Sequence, residues 1–220
     1  MKIRILPLLL AAGLAACDST TEVKTAAHLD VFSGGSQTGI LGQALAAPVV
    51  VLATNASGKP VRGVAVAWTA TNGTISSAAS VTDADGHASA TWTLAPGVAN
   101  QSIIAAAAGA PPVMITAHGR PALPAVITSC ETNTATLCSD WHLLNGQYVA
   151  DWTNGSHAII IPTVFELDSV VFTRDDPSGT SAGMHAVYRG APTNGTISPG
   201  MVTWTDTNHF SFNGRWDAHW

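Results

Sequence analysis

Much of this chain follows a two-residue rhythm of side chains, broken at short intervals by Gly, Asn and Asp. Val64, Val66 and Trp68 alternate with Ala65, Ala67 and Thr69, and Ala88, Ala90, Trp92 and Leu94 alternate with His87, Ser89, Thr91 and Thr93. Successive side chains fall on opposite faces only in an extended strand, so these runs predict strands with one buried face. The breaks at Asn55-Ala56-Ser57-Gly58, Asn72-Gly73 and Asp85-Gly86 consist of residues that accept a left-handed backbone or bond their own main chain, which is turn chemistry. No helical stripe runs through this region. Short strands at this spacing predict an all-β sandwich over residues 27–118. Ile103 to Ala108 is Ala-rich and would suit a helix by propensity, but its length and its flanks, Asn100-Gln101 and Gly109 to Pro112, predict a strand.

Composition narrows the function classes. The 220 residues are 46% hydrophobic but only 10% charged, which argues against a long disordered or coiled-coil protein. A net charge of −5 gives no electrostatic footprint for nucleic acid, because sequence-independent binding rests on Lys and Arg neutralising phosphates. Much of the apolar fraction is Ala, so the seven Trp carry a large share of the bulk available for a core.

The N-terminus reads as an address. Lys2 and Arg4 precede an apolar run from Ile5 to Ala12, and small residues end in Leu14-Ala15-Ala16-Cys17. That run is shorter than the roughly 20 residues a spanning helix needs, so it predicts a secretory signal. Leu14-Ala15-Ala16-Cys17 resembles the lipobox of bacterial lipoproteins, which implies cleavage before Cys17 and acylation of that residue. Several acyl chains hold a bilayer well, at about 0.8 kcal/mol per buried CH₂. Residues 1–16 are then the signal peptide, and 17–26 the lipidated Cys and a polar tether. The expected location is the bacterial cell envelope, lipid-anchored. Asp18 resembles the residue that retains enterobacterial lipoproteins in the inner membrane, a rule that varies between bacteria and leaves either membrane open.

With Cys17 taken by lipid, Cys130 and Cys138 remain as an even pair in an oxidising compartment, where a disulfide is the expected fate. The rival is a metal site of Cys130, Cys138 and His142, which lacks the paired Cys-x₂-Cys spacing of zinc sites.

Several motifs in order carry a family resemblance. Gly58-Lys59-Pro60-Val61-Arg62-Gly63-Val64-Ala65-Val66-Ala67-Trp68, Gly73-Thr74-Ile75, Thr82-Asp83-Ala84-Asp85-Gly86-His87-Ala88 and Thr91-Trp92-Thr93-Leu94 together resemble the bacterial immunoglobulin-like domain of the invasin and intimin type, over residues 27–118. The resemblance implies an immunoglobulin-like β-sandwich acting as a rigid spacer, with no catalytic residues. Family members stack several such domains behind an outer-membrane barrel, whereas this chain carries one copy behind a lipid.

Residues 119–125 contain Pro121 and Pro124 and predict a stiff, Pro-rich linker. Beyond it, residues 126–220 hold five of the seven Trp. Runs such as Tyr148–Trp152, Ser169–Arg174, Met201–Thr205 and Phe210–Trp220, separated by Asn154-Gly155, Asp175 to Gly179, Asn194-Gly195 and Pro199-Gly200, predict a small antiparallel β-meander or open barrel. The alternating aromatic ending resembles the last strand of outer-membrane barrels. Eight strands of roughly 9–11 residues would consume nearly the whole domain, which argues against a spanning barrel.

Trp141, Trp152, Trp204, Trp216 and Trp220 are the candidate ligand platform, since flat rings cover apolar sugar faces, although most Trp in so small a domain are expected in its core. His142, His157, His185, His209 and His219 lack the tight spacing of a helical metal site, and Asp83-x-Asp85-Gly86 lacks the closing ligands of a calcium loop, so no metal and no cofactor are expected. Glu166 and Asp168 would share one face of a strand, but two exposed acids usually make a solvated surface. No nucleophile elbow, Walker loop, His-Glu-x-x-His or dinucleotide fingerprint occurs, so no catalytic residue is assigned. The expected function is a membrane-anchored envelope lipoprotein whose spacer presents the C-terminal domain for adhesion or ligand binding, with a glycan or an envelope or surface protein as partner. The alternatives are a structural envelope component without a ligand and, below it, an exported hydrolase acting on polysaccharide.

Overall fold

The computed structural model describes residues 24–178 and 182–220. The signal segment, Cys17 and Asp18 lie outside the described residues.

The first part of the chain forms β1 (His28–Ser33), β2 (Gln37–Ile40), β3 (Val49–Thr54), β4 (Ala65–Ala70), β5 (Thr74–Ile75), β6 (Ala79–Val81), β7 (His87–Ala90), β8 (Trp92–Thr93), β9 (Asn100–Ala107) and β10 (Val113–Arg120). One sheet has the order β1-β3-β7, the other β2-β10-β9-β4-β6, and β5 pairs with β8. Val64, Val66 and Trp68 are buried and Ala65, Ala67 and Thr69 exposed, as the alternation requires. They meet Val49, Val51, Trp92, Leu94 and Ile103 in a single core. The Ala-rich β9 lies between β10 and β4 and is hydrogen-bonded on both sides, so sheet context overrides Ala's helical preference.

After Arg120 the chain has no regular structure until β11 (Val126–Thr132). There follow β12 (Thr136–Leu144), β13 (Gln147–Asp151), β14 (His157–Phe165), β15 (Val170–Ser178), β16 (His185–Gly190), β17 (Thr196–Thr205) and β18 (Ser211–His219). Each strand pairs antiparallel with the next, and β11 also pairs with β18 from Thr128↔His219 to Thr132↔Arg215. The expected meander or open barrel is therefore a closed eight-stranded barrel, in which no strand edge is left unpaired.

The inward positions carry their own core. Trp141, Tyr148, Phe172, Tyr188 and Trp216 are fully buried in the middle of the barrel, and the inward Ala150, Ala158, Ala186 and Ala218 leave room for their rings. The barrel is thus plugged by side chains rather than hollow. Its outward positions mix Val149, Ile159 and Ile161 with Asp140, His142, Asp151, Thr173, Asp175, Arg189 and Arg215, whereas a bilayer-spanning barrel carries a continuous apolar band. The strand count that argued against a membrane barrel is in fact reached; the mixed exterior is what distinguishes this one.

Candidate functional site: the mouth of the barrel

The hairpins β11–β12, β13–β14, β15–β16 and β17–β18 gather at one end of the barrel, and the linker enters β11 at the other. At the hairpin end the inward alternation continues, but with charge. On β15, Phe172 is followed on the same face by Arg174 and Asp176, and on β11 Ile127 and Ser129 are followed by Glu131; all are buried. By residue type, Asp175 to Gly179 predicts a turn. The strand instead runs through to Ser178, with Asp175 paired to His185 of β16.

Arg174 is held on two sides. Its Nε and Nη2 donate to the two carboxylate oxygens of Asp176 at 2.5 and 2.6 Å, and its Nη1 donates to Glu131 at 2.9 and 3.1 Å and to the Tyr188 hydroxyl at 3.1 Å. Tyr188 donates in turn to Glu131 Oε1 at 2.6 Å, and Trp204 Nε1 donates to Oε2 at 3.3 Å. The guanidinium carbon sits 3.7 Å from the centre of the Trp152 ring, a cation–π contact. Burial pushes the Glu131 carboxyl above its ordinary range against the pull of Arg174. It pushes the Tyr188 phenol well up, with the Glu131 charge adding to it. For Arg174 burial acts downward, but the bonds to Asp176 and the Tyr188 hydroxyl and the charge of Glu131 outweigh it, so the guanidinium stays charged. Each charged group of the cluster has a partner, the condition under which buried charge is tolerable; the buried Trp152 indole N–H has none among the described residues.

Above this cluster lies an open cavity of about 210 Å³ whose lining includes Glu131, Arg174, Trp152, Trp204, Met184 and Phe212. Phe212 has the inward phase of Gly214, Trp216 and Ala218 but sits beyond the last filled layer. Its ring stacks on Trp204 with centroids 5.3 Å apart and remains 39% exposed.

The five Trp proposed as a platform do not point out together. Trp141 and Trp216 are buried and stacked face to face at 5.9 Å, Trp152 and Trp204 are buried beneath the cavity, and Trp220 packs on Phe165 at the linker end, 5.5 Å between centroids. Strand phase turns the first four inward, where flat rings fill the lumen, so an outward aromatic platform is excluded. Two of the five, Trp152 and Trp204, nonetheless line the mouth. The charged cluster went unread, although the phase of Phe172-x-Arg174-x-Asp176 was a signal that charge enters an apolar face.

Cys130 and Cys138 are direct cross-strand partners and form a disulfide on the outer wall, which replaces the metal reading with His142. Glu166 and Asp168 lie in the turn after β14, not on a strand. Glu166 Oε2 meets His118 Nε2 at 2.9 Å, and Ser169 Oγ donates to Asp168 at 3.2 Å. His157 pairs with Asp151 and His185 with Asp175 on the barrel wall. Among the described residues the only grouping with metal-ligand proximity is Asp83, Asp85 and His87. There Asp83 Oδ1 accepts the backbone N–H groups of Asp85 and His87, both at 2.9 Å, as a turn requires.

Residues 42–118 match the bacterial Ig-like domain, group 1. The match begins after β1 and β2, the strands that complete the two sheets of this Ig-like domain. No family model matches the barrel, and no curated protein matches the chain significantly. Among solved structures, the chain is similar to a C-terminal 282-residue fragment of intimin in complex with the translocated intimin receptor's intimin-binding domain, at 16% identity and a TM-score of 0.41 over 87% of this chain. It is also similar to the Yersinia pseudotuberculosis adhesin InvE, at 13% identity and a TM-score of 0.35 over 85% of this chain. Domains 5–6 of the S-layer protein SbsC align over 88% of this chain and 96% of their own length, at 13% identity and a TM-score of 0.31. The chain spans 63% of the intimin fragment and 57% of InvE.

Proposed function

We propose that this protein is a lipid-anchored envelope protein whose Ig-like domain serves as a spacer and whose barrel binds a ligand, in adhesion or capture, through the mouth opposite the linker. The carrying observation is the position of the cavity. It opens at the hairpin end, while the chain from the anchor enters at the other, so the route Cys17, tether, sandwich, linker, barrel leaves the mouth facing away from the membrane. The ordered Lys2, Arg4, apolar run and Leu14-Ala15-Ala16-Cys17 support the anchor, and the Ig-like match supports the spacer. The partner classes are a glycan or a protein of the envelope or of another surface.

Two measurements test this reading. Cys17→Ala should abolish acyl-chain labelling and release the protein from the membrane fraction; a variant that stays membrane-bound contradicts the anchor. The intact protein applied to an array of glycans and surface proteins should capture a ligand that Phe212→Ala releases. Failure to capture anything would favour a structural envelope role, consistent with a charged cluster already satisfied within the protein.

A further inference from the structure

The cavity is small and two-faced. At about 210 Å³ it falls below the roughly 300–1,000 Å³ of sites for drug-sized ligands. An opening of this size suits one ring seated at the mouth. One wall is the Trp204–Phe212 stack with Met184 and Leu137; the rim and floor carry the Asn133 amide, the Thr134 hydroxyl and the Glu131 carboxylate. A ligand that fills it must have an apolar face and a polar edge.

Charge narrows the class further. The one guanidinium in the cavity is already occupied by Asp176 through Nε and Nη2 and by Glu131 through Nη1. Among the described lining residues no unpaired cation is left for a phosphate, sulfate or carboxylate. Two carboxyl groups against one guanidinium would also repel an incoming anion, and like charge at a desolvated contact costs several kcal/mol. A ligand that relied on being cationic would find the carboxylates turned toward Arg174, Tyr188 and Trp204. Hydroxyl groups fit what remains, since each can both donate to an acceptor and accept from an amide, while ring C–H groups lie on the aromatic wall.

We infer that the barrel mouth binds a single uncharged sugar ring, the exposed end of a glycan entering end-on between the Trp204–Phe212 stack and the Asn133 side of the rim. This rests on the ligand-binding reading above and specifies its chemistry.

The test titrates the full-length protein with glucose, galactose and N-acetylglucosamine as neutral rings, glucuronic acid as the anionic ring and glucosamine as the cationic one. Indole N–H signals in NMR and calorimetry are the readouts. A neutral ring should shift the Trp204 signal and bind about tenfold or more tighter than glucuronic acid, as a like-charge penalty of this kind implies. Phe212→Ala should weaken it by roughly tenfold, the size of one aromatic contact. Asn133→Ala, on an exposed hairpin, should weaken it without touching the core. Leu144→Ala, at the opposite end, should leave it unchanged. Equal or tighter binding of the acid or the amine, neutral binding indifferent to Phe212→Ala and Asn133→Ala, or no shift with any of the five sugars would each overturn the inference. A non-sugar ligand captured on the array and lost with Phe212→Ala would overturn it too, while leaving the ligand-binding role standing.

Discussion

Gly200 and Gly214 decide where two of the largest side chains in the barrel can lie. Gly200 is the direct cross-strand partner of Trp216, and a Cβ there would overlap the indole Nε1, the atom that donates to the Arg189 carbonyl at 3.0 Å. A Cβ on Gly214 would come within 2.5 Å of the Trp204 ring. Gly200→Ala should therefore destabilise the barrel by at least about 1–3 kcal/mol, the range for overpacking a filled core; an unchanged denaturation midpoint would show that Trp216 has another place to go. The spacing of these glycines and tryptophans is visible in the sequence, but their meaning is not, because it depends on which residues face each other across β17 and β18. The two tyrosines of the chain give a second test at this scale. Burial pushes both phenols up, Tyr148 and Tyr188 alike. Above pH about 10 an unfolded tyrosine loses its proton while the folded one keeps it, so stability falls as pH rises past that point. Ultraviolet titration should show no tyrosinate until the protein unfolds, and native-state ionisation near pH 10 would contradict the buried assignment.

At the scale of elements, β15 and the β11–β12 hairpin carry the mouth. The two-residue phase made the sandwich strands legible, because apolar and polar residues alternate cleanly there. It misled at β15, where Asp175, Asp176 and Pro177 carry turn chemistry locally and strand geometry in fact. What keeps them extended is distant in sequence: the His185 partner and the ladder to β14 and β16. Arg174→Met would leave Glu131 and Asp176 buried without their common partner and should cost about 3–5 kcal/mol, as breaking a buried pair does. Little or no loss in chemical denaturation would mean that water reaches Glu131 and Asp176 once Arg174 is gone. Across the hairpin, the disulfide closes a short loop with a sequence separation of 8. Replacing both Cys130 and Cys138 by Ala should cost about 2–3 kcal/mol through the freedom returned to the unfolded chain, read as a lower midpoint than the oxidised protein.

At the scale of the molecule, two cores with no buried hydrophobic residue in common are joined by a short segment with two prolines. Such an arrangement predicts two thermal transitions. The Cys130→Ala, Cys138→Ala variant should lower only one of them in calorimetry, and a single transition moving as a whole would indicate one cooperative unit. Gly119 and Arg120, expected in the linker, belong to β10 and pair with β2, whereas the Ig-like motifs were readable from their order and the prolines of the connecting stretch from composition. The site was not, since it forms from Glu131, Trp152, Arg174, Trp204 and Phe212 on five different stretches that only barrel closure brings together. Ligand binding at the mouth is what would join anchor, spacer and barrel into one function. A crystal structure of the protein with a ligand captured on the array tests this most directly. The predicted density lies above Glu131 and Arg174, between the Trp204–Phe212 stack and Asn133. Density on the outer wall, or at the linker end beside Phe165 and Trp220, would contradict it.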